Sequence, residues 1–395
     1  MRSVFLLHGS AAAADRPARL AGASPARSGA AVRLRSASAP RRRGAAVRSA
    51  AIWHEVGPHI IGVVDPLVAA ASGGNEGDDG LGGPTNHAVA TTLWLRRLAE
   101  EQRELLTDRL RAMPPPLAVC GARVAASAGG ATASETAAAL QRDGVVILRS
   151  VVSAPLCDAL KYDVDARAER ARRKLGASLR RVDALLDFEG PARDAAIQAA
   201  GPGGVAAVLE RVCDATADAR LVEFSVLSTE PGADRQVLHP DARADASHAP
   251  LYSVFIALQD VTPEMGPTCF IPGTHSAESH AAFPAGPLSD SARALLRASR
   301  PFDAPLRKGD AALYDARTFH GGGRNDPDAG ARRGLLTLTF MRGPVPPAPQ
   351  RRNTGGAAFS IRPEVLRLGL SVADLADMAQ QTQQRAAPRE LAGVA

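Results

Sequence analysis

The chain of 395 residues carries 47 Lys plus Arg against 41 Asp plus Glu, with 45% hydrophobic and 22% charged residues. Those proportions allow a large buried core, and the lack of any apolar run of about 18 residues excludes a membrane-spanning helix. The formal charge of +6 is unevenly placed: residues 1–50 hold ten arginines against Asp15 alone, so the remaining 345 residues carry −3 and give no reason to expect a nucleic-acid partner.

Residues 1–50 are rich in Arg, Ala and Ser and nearly free of acids. That composition buries no core and matches an organellar transit peptide, with the Ala/Ser richness favouring plastid over mitochondrion. Residues 51–132 are expected to be a helical N-terminal extension and linker. Within them Asn86 to Met113 reads as a helix, carrying Leu93, Leu95, Leu98, Leu105, Leu106 and Leu110 near helical spacing and ended by Pro114-Pro115-Pro116. Gly73 to Gly83 reads as a loop and Gly121 to Ala131 as a linker, and no chemistry is assigned to this region. The main domain is placed at 133–345. It opens with a helix from Ser134, a candidate cap, to Gln141, then a buried strand Val145 to Leu148. Ser153 to Leu186 reads as mostly helical, with Arg167, Arg170, Arg172, Arg173 and Lys174 on a solvated face.

From residue 221 the texture changes to short strands punctuated by turn pairs such as Pro231-Gly232 and Pro272-Gly273. Strands are expected at Leu221–Thr229, Gln236–Asp241, Leu251–Leu258, Cys269–Ile271, Ala311–Tyr314 and Leu335–Phe340, a pattern for an antiparallel barrel or sandwich. Residues 346–395 are read as a C-terminal helical tail with Ser371 and Asp374 as its capping box. Cys120, Cys157, Cys213 and Cys269 are scattered and form no CxxC pair, which argues for free thiols over a structural zinc site.

One His-x-Asp stands in the chain, His239-Pro240-Asp241. Residues i and i+2 of a strand point to one face, so imidazole and carboxylate would project together. His320, in Thr318-Phe319-His320-Gly321-Gly322-Gly323, could add a third ligand. Two histidines and one carboxylate with open positions form the facial arrangement of non-haem Fe(II) oxygenases. A 2-oxoglutarate co-substrate would further need a cation for its distal carboxylate, and the planar fork of arginine suits that task. Arg332 and Arg333 stand at the entry to the last strand. Arg333 shares a face with Leu335, Thr337 and Thr339, whereas Arg332 shares one with Leu336, Leu338 and Phe340. The more polar face should line the cavity, which favours Arg333.

The motifs Gln236-Val-Leu-His239-Pro-Asp241, Leu258-Gln-Asp-Val-Thr-Pro-Glu-Met-Gly266-Pro, Ile271-Pro-Gly-Thr-His275, Lys308-Gly-Asp310 and His320-Gly-Gly-Gly-Arg-Asn325 come in the order seen in the phytanoyl-CoA dioxygenase family. Asp143-Gly144-Val-Val-Ile-Leu148 also resembles that family's opening strand. The resemblance spans residues 134–342. It implies a mainly β fold with flanking helices, a double-stranded β-helix (jelly roll, cupin-like), and Fe(II) held by His239, Asp241 and His320. It places the co-substrate arginine at Arg333 when aligned on Phe340, and nearer Arg332 when counted from His320. The implied activity is a 2-oxoglutarate-dependent hydroxylation of a small-molecule metabolite, consuming O2 and releasing succinate and CO2. Asp241 argues against halogenation, which needs that carboxylate position vacated. The alternatives are a catalytically silent jelly-roll binding module and a cupin-like metalloenzyme that does not use 2-oxoglutarate.

Other residues are read more plainly. Gln236 is structural or lies at the site edge. His275 is a turn histidine, His248 a loop histidine, and Lys308-Gly309-Asp310 a turn. Asn325 ties down the loop after His320, and Tyr252 and Tyr314 belong to the core. The triple glycine lacks the helix start and Lys/Ser of a phosphate cradle.

Overall fold

The computed structural model describes residues 86–112, 118–119, 132–175, 180–201, 203–213, 219–242, 244, 250–283, 288–343 and 361–386. The proposed transit segment, the Gly73–Gly83 loop, the 121–131 linker, His248 and the end of the C-terminal tail lie outside them.

The first element among the described residues is helix α1, Asn86–Ala112, in line with its leucine spacing. A two-residue strand β1, Ala118–Val119, precedes helix α2, Ala133–Asp143. The cap of α2 is Thr132 and not Ser134: Thr132 Oγ1 accepts the Glu135 N–H, while the Glu135 carboxylate accepts the Thr132 N–H, a reciprocal capping box two residues earlier than expected. Gly144, at φ 75°, closes the helix in the left-handed conformation, and strand β2, Val145–Leu148, begins at once.

The expected helix from 153 to 186 is two elements. Helix α3 spans Ala154–Leu175, and Arg181–Leu185 is strand β3. In β3, Arg181, Asp183 and Leu185 alternate with Val182 and Ala184, a period of two too short to stand out beside a long helix. Residues 187–220, for which the pattern predicted no element, form α4 (Gly190–Ala199) and α5 (Val205–Val212). The buried stripe of α4 is Ala192, Ala195, Ala196 and Ala199, which gives little hydropathy contrast.

The remaining strands are β4 (Ala219–Thr229), β5 (Leu251–Ala257), β6 (Thr268–Phe270), β7 (Phe302–Ala304), β8 (Ala311–Asp315), β9 (His320–Gly322) and β10 (Arg333–Arg342). Helices α6 (Ala277–Ala282) and α7 (Asp290–Ala298) lie between β6 and β7. Helices α8 (Pro363–Leu366) and α9 (Val372–Ala386) follow the barrel, and α9 starts at the expected Ser371–Asp374 capping box. No described helix is long and apolar enough to cross a membrane.

The strands form a seven-stranded sheet of order β1-β2-β8-β5-β10-β4-β3 and a three-stranded sheet of order β7-β6-β9, antiparallel except for the β1–β2 pair. The paired segments His239 and His320 link the ligand loop to the smaller sheet. This is a double-stranded β-helix. Its large sheet buries both faces. Val254, Ile256, Leu313, Leu336, Leu338 and Phe340 face outward against Leu140, Leu160, Ala196, Leu209 and Leu375 of the helices. Phe255, Ala312, Tyr314 and Leu335 face inward with Phe270 and Phe302 of the small sheet. The alternation in β10 therefore runs as its polarity predicts, with Thr337 and Thr339 inside. A bulge after Thr339 leaves Val222 of β4 unpaired and shifts the register by one residue, after which pairing continues to Arg342 and Ala219.

Candidate metal centre and anion bay

His239 lies on an extended segment that makes only one bridge, with His320. The expected strand Gln236–Asp241 does not extend further because Pro240 has no N–H to give to a ladder. The bridge is reciprocal: each of His239 and His320 donates its backbone N–H to the other's carbonyl at 2.9 Å. Asp241 turns away, donating its N–H to the Ala316 carbonyl at 2.7 Å. This brings His239, Asp241 and His320 together, with one ligand atom from each within 4.8 Å of the others. His320 Nε2 is 3.4 Å from Asp241 Oδ2, and His239 Nε2 is 3.9 Å from Asp241 Oδ1.

The backbone also sets the tautomers. His239 Nδ1 lies 2.7 Å from the Val237 carbonyl and His320 Nδ1 lies 2.9 Å from the Thr318 carbonyl. A carbonyl can only accept, so each Nδ1 carries the proton and each Nε2 keeps its lone pair for a cation. Burial lowers the His320 pKa, outweighing the opposing pull of Asp241, and favours the neutral ring that a metal needs. Tyr314, expected as core alone, donates its hydroxyl to Asp241 Oδ2 at 2.9 Å. Burial, then Asp241, holds that phenol well above its ordinary pKa. Phe270 stacks on His320 at 5.7 Å between ring centres, and Phe255 meets it edge-on at 6.3 Å.

The two candidate arginines go to opposite sides of β10. Arg332 points outward: Nε donates to Glu230 Oε1, just after β4, at 2.6 Å, and the guanidinium also pairs with Glu169 and Asp165 of α3. Arg333 is fully buried inside, and no acid among the described residues pairs with it. Its contacts are long, 3.5 Å to the Met265 carbonyl and 3.4 Å to Thr229 Oγ1, and Nε has no partner. Burial, with the neighbouring Arg181 charge, pulls its pKa down to about 9. A buried cation without a carboxylate is costly, which marks a place built for an anion.

Two further residues complete this bay. Gln236 Oε1 accepts the Gly322 N–H at 2.9 Å, so the residue belongs at the edge of the site. Arg181, missed because its short strand went unseen, donates to the carbonyls of Asp234 and Gly323. A Cβ on Gly322 would lie 2.7 Å from Gln236 Oε1, 3.1 Å from Arg181 Nη2 and 3.2 Å from Arg333 Nη2, so three polar groups converge where glycine leaves space.

The opposite end of the interior is acidic. Glu223 and Asp183 are buried side by side on β4 and β3, with Arg362 donating to Asp183 at 2.8 Å and lying 3.7 Å from Glu223. Burial pushes the Glu223 carboxyl up to about 7 and raises Asp183 as well, against the attraction of Arg362. Elsewhere the plain readings fit the geometry. His275 Nε2 meets the Gln141 carbonyl at 3.0 Å, Asn325 donates to the Thr229 and Ala331 carbonyls, and Tyr252 packs in the outer core.

A jelly roll of the cupin-like class here gathers two histidines and one carboxylate that could hold a single metal ion. Residues 140–334 match the family described as Phytanoyl-CoA dioxygenase (PhyH), and over that domain the chain belongs to it. The chain is similar to "Dioxygenase trt7" of Aspergillus terreus, 28% identical over 217 residues that cover 51% of this chain and 71% of that protein. It is also similar to "Dioxygenase cdmA" of Talaromyces verruculosus, 32% identical over 120 residues, 28% of this chain and 36% of the other. Among solved structures, the non-heme alpha ketoglutarate dependent carbocyclase SnoK from nogalamycin biosynthesis aligns over 58% of this chain and 95% of its own, at 19% identity and a TM-score of 0.40.

Proposed function

We propose that the protein is an Fe(II)- and 2-oxoglutarate-dependent dioxygenase that hydroxylates a small-molecule metabolite. The observation that carries the reading is a buried Arg333 without an acid partner, in the same interior as the His239, Asp241 and His320 cluster. The donor set fits iron: two neutral imidazole nitrogens and one carboxylate leave positions for a chelating oxoacid and O2. Bound Fe(II), with both co-substrates, would supply the oxidation, with succinate and CO2 as by-products. The chain's own residues hold and shield. His239 and His320 present Nε2, and Asp241 presents a carboxylate oxygen. Arg333, with Thr229, would fix the distal carboxylate by charge-assisted hydrogen bonds. Phe255 and Phe270 keep the His320 side apolar and free of water.

Anaerobic addition of Fe(II) and 2-oxoglutarate tests this. The iron–oxoacid charge-transfer absorption should appear, vanish in His239→Ala and weaken in Arg333→Ala. Absence of iron binding by the unaltered protein overturns the reading. Iron binding without 2-oxoglutarate binding would point to a cupin-like enzyme of another kind. Residues 1–50 are proposed to direct organellar import, and a fluorescent fusion of that segment should accumulate in plastids.

A further inference from the structure

Tyr314 lies on β8, fully buried, with its ring packed by Phe255, Phe270 and His320 at 5.1, 5.2 and 4.8 Å between centres. Packing by these three rings fixes where the hydroxyl points, and it points at Asp241 Oδ2, 2.9 Å away. Its other polar neighbour is Ser253, on the adjacent β5. The Ser253 hydroxyl also lies 3.0 Å from Thr339 Oγ1, and Thr339 donates to Glu223 Oε2 at 2.7 Å. The phenol donates its proton to Asp241 Oδ2, and a hydrogen bond to a carboxylate is roughly twice as strong as one between neutral groups. Oδ2 is thereby engaged from the protein side, and Oδ1 is the oxygen better able to serve a cation.

We propose that Tyr314 is a positioning residue for the metal site, holding the Asp241 carboxylate in one orientation through Oδ2. The inference rests on the reading of His239, Asp241 and His320 as metal ligands. It extends that reading to a residue that touches none of the reacting atoms. Groups that orient a ligand from behind typically change metal affinity by about 10–100-fold when removed.

The probe is Co(II), whose visible spectrum reports its ligand field. Tyr314→Phe keeps the ring and deletes only the hydroxyl. It should weaken Co(II) binding by about tenfold or more and shift the Co(II) absorption, while circular dichroism stays that of the unaltered protein. Equal affinity and an identical spectrum would overturn the proposal. A lower thermal midpoint with an unchanged Co(II) spectrum would also overturn it, because that is the result of packing alone. Should the phenylalanine variant not fold, site-specific 3-fluorotyrosine at 314 retains the ring and strengthens the donor. An unmoved Co(II) band there is likewise fatal to the idea. Failure of the unaltered protein to bind Co(II) removes both this proposal and the metal reading. Co(II) binding without 2-oxoglutarate binding removes only the oxygenase reading, and the Tyr314 comparison still decides its own case.

Discussion

Two side chains one peptide bond apart illustrate how little residue type alone conveys. Arg332 and Arg333 have the same chemistry, yet the first is neutralised by Glu230, Glu169 and Asp165 and the second faces no acid among the described residues. The pleat separates them by sending neighbours to opposite faces. The space that serves Arg333 depends on Gly322. Gly322→Ala would put a methyl 2.7 Å from Gln236 Oε1 and 3.2 Å from Arg333 Nη2. It should weaken 2-oxoglutarate binding by about tenfold, or about 1.4 kcal/mol, while leaving Fe(II) binding intact; calorimetric titration of each would show the split. Glu223 gives a pH prediction for the metal-free protein. Its carboxyl is raised to about 7 by burial, so the folded state holds its proton more tightly than the unfolded state does. Stability from this group is present at pH 4 and is lost as pH rises through about 7, with Asp183 acting in the same direction. Urea midpoints should fall between pH 5 and pH 8, and Glu223→Gln should flatten that slope.

Elements are stabilised by packing far more than by their ends. Leu338 of β10 is buried among the helices that cover the large sheet, and Leu338→Ala should cost about 2–5 kcal/mol in urea unfolding. Loss of the α2 cap in Thr132→Ala should cost only about 1 kcal/mol by the same measurement, because one exposed helix end loses one capping pair. The same contrast explains which elements the sequence made legible. The strand β5 is rich in β-branched and aromatic residues, β10 alternates Leu and Thr, and α1 carries a leucine stripe, so each stood out. The β3 strand, five residues beside a 22-residue helix, did not. Nor did α4, whose core face is alanine, or β9, whose residues are His320, Gly321 and Gly322. Such segments take their conformation from the partners they meet, and no local signal announces it.

At the scale of the whole molecule, the N-terminal helix changes meaning most. It had no assigned chemistry, yet it lies against the ligand segment. Gln102 Oε1 accepts the Leu238 N–H at 2.8 Å, next to His239, and Arg103 grips Asp303 with two hydrogen bonds. Gln102→Ala leaves a buried N–H without its acceptor, at a cost of about 1–3 kcal/mol. It should lower both the thermal midpoint and Co(II) affinity, whereas a helix docked merely for cover would move only the midpoint.

By itself the sequence determined the class of fold and the three metal-ligand candidates. Period-two hydropathy points to an antiparallel barrel or sandwich and the His-x-Asp spacing to two facing ligands, because local geometry follows from neighbouring residues; the double-stranded β-helix is what the resemblance to the phytanoyl-CoA dioxygenase family implies. The pleat already favoured Arg333 as the inward arginine; tertiary structure alone decided that no described acid pairs with it, which glycine makes room beside it, and which tyrosine reaches Asp241. Those depend on strands far apart in the chain meeting in one interior: Arg181 with Arg333, and Tyr314 with Asp241. Burial and pairing are properties of that meeting, and no residue carries them in its own identity.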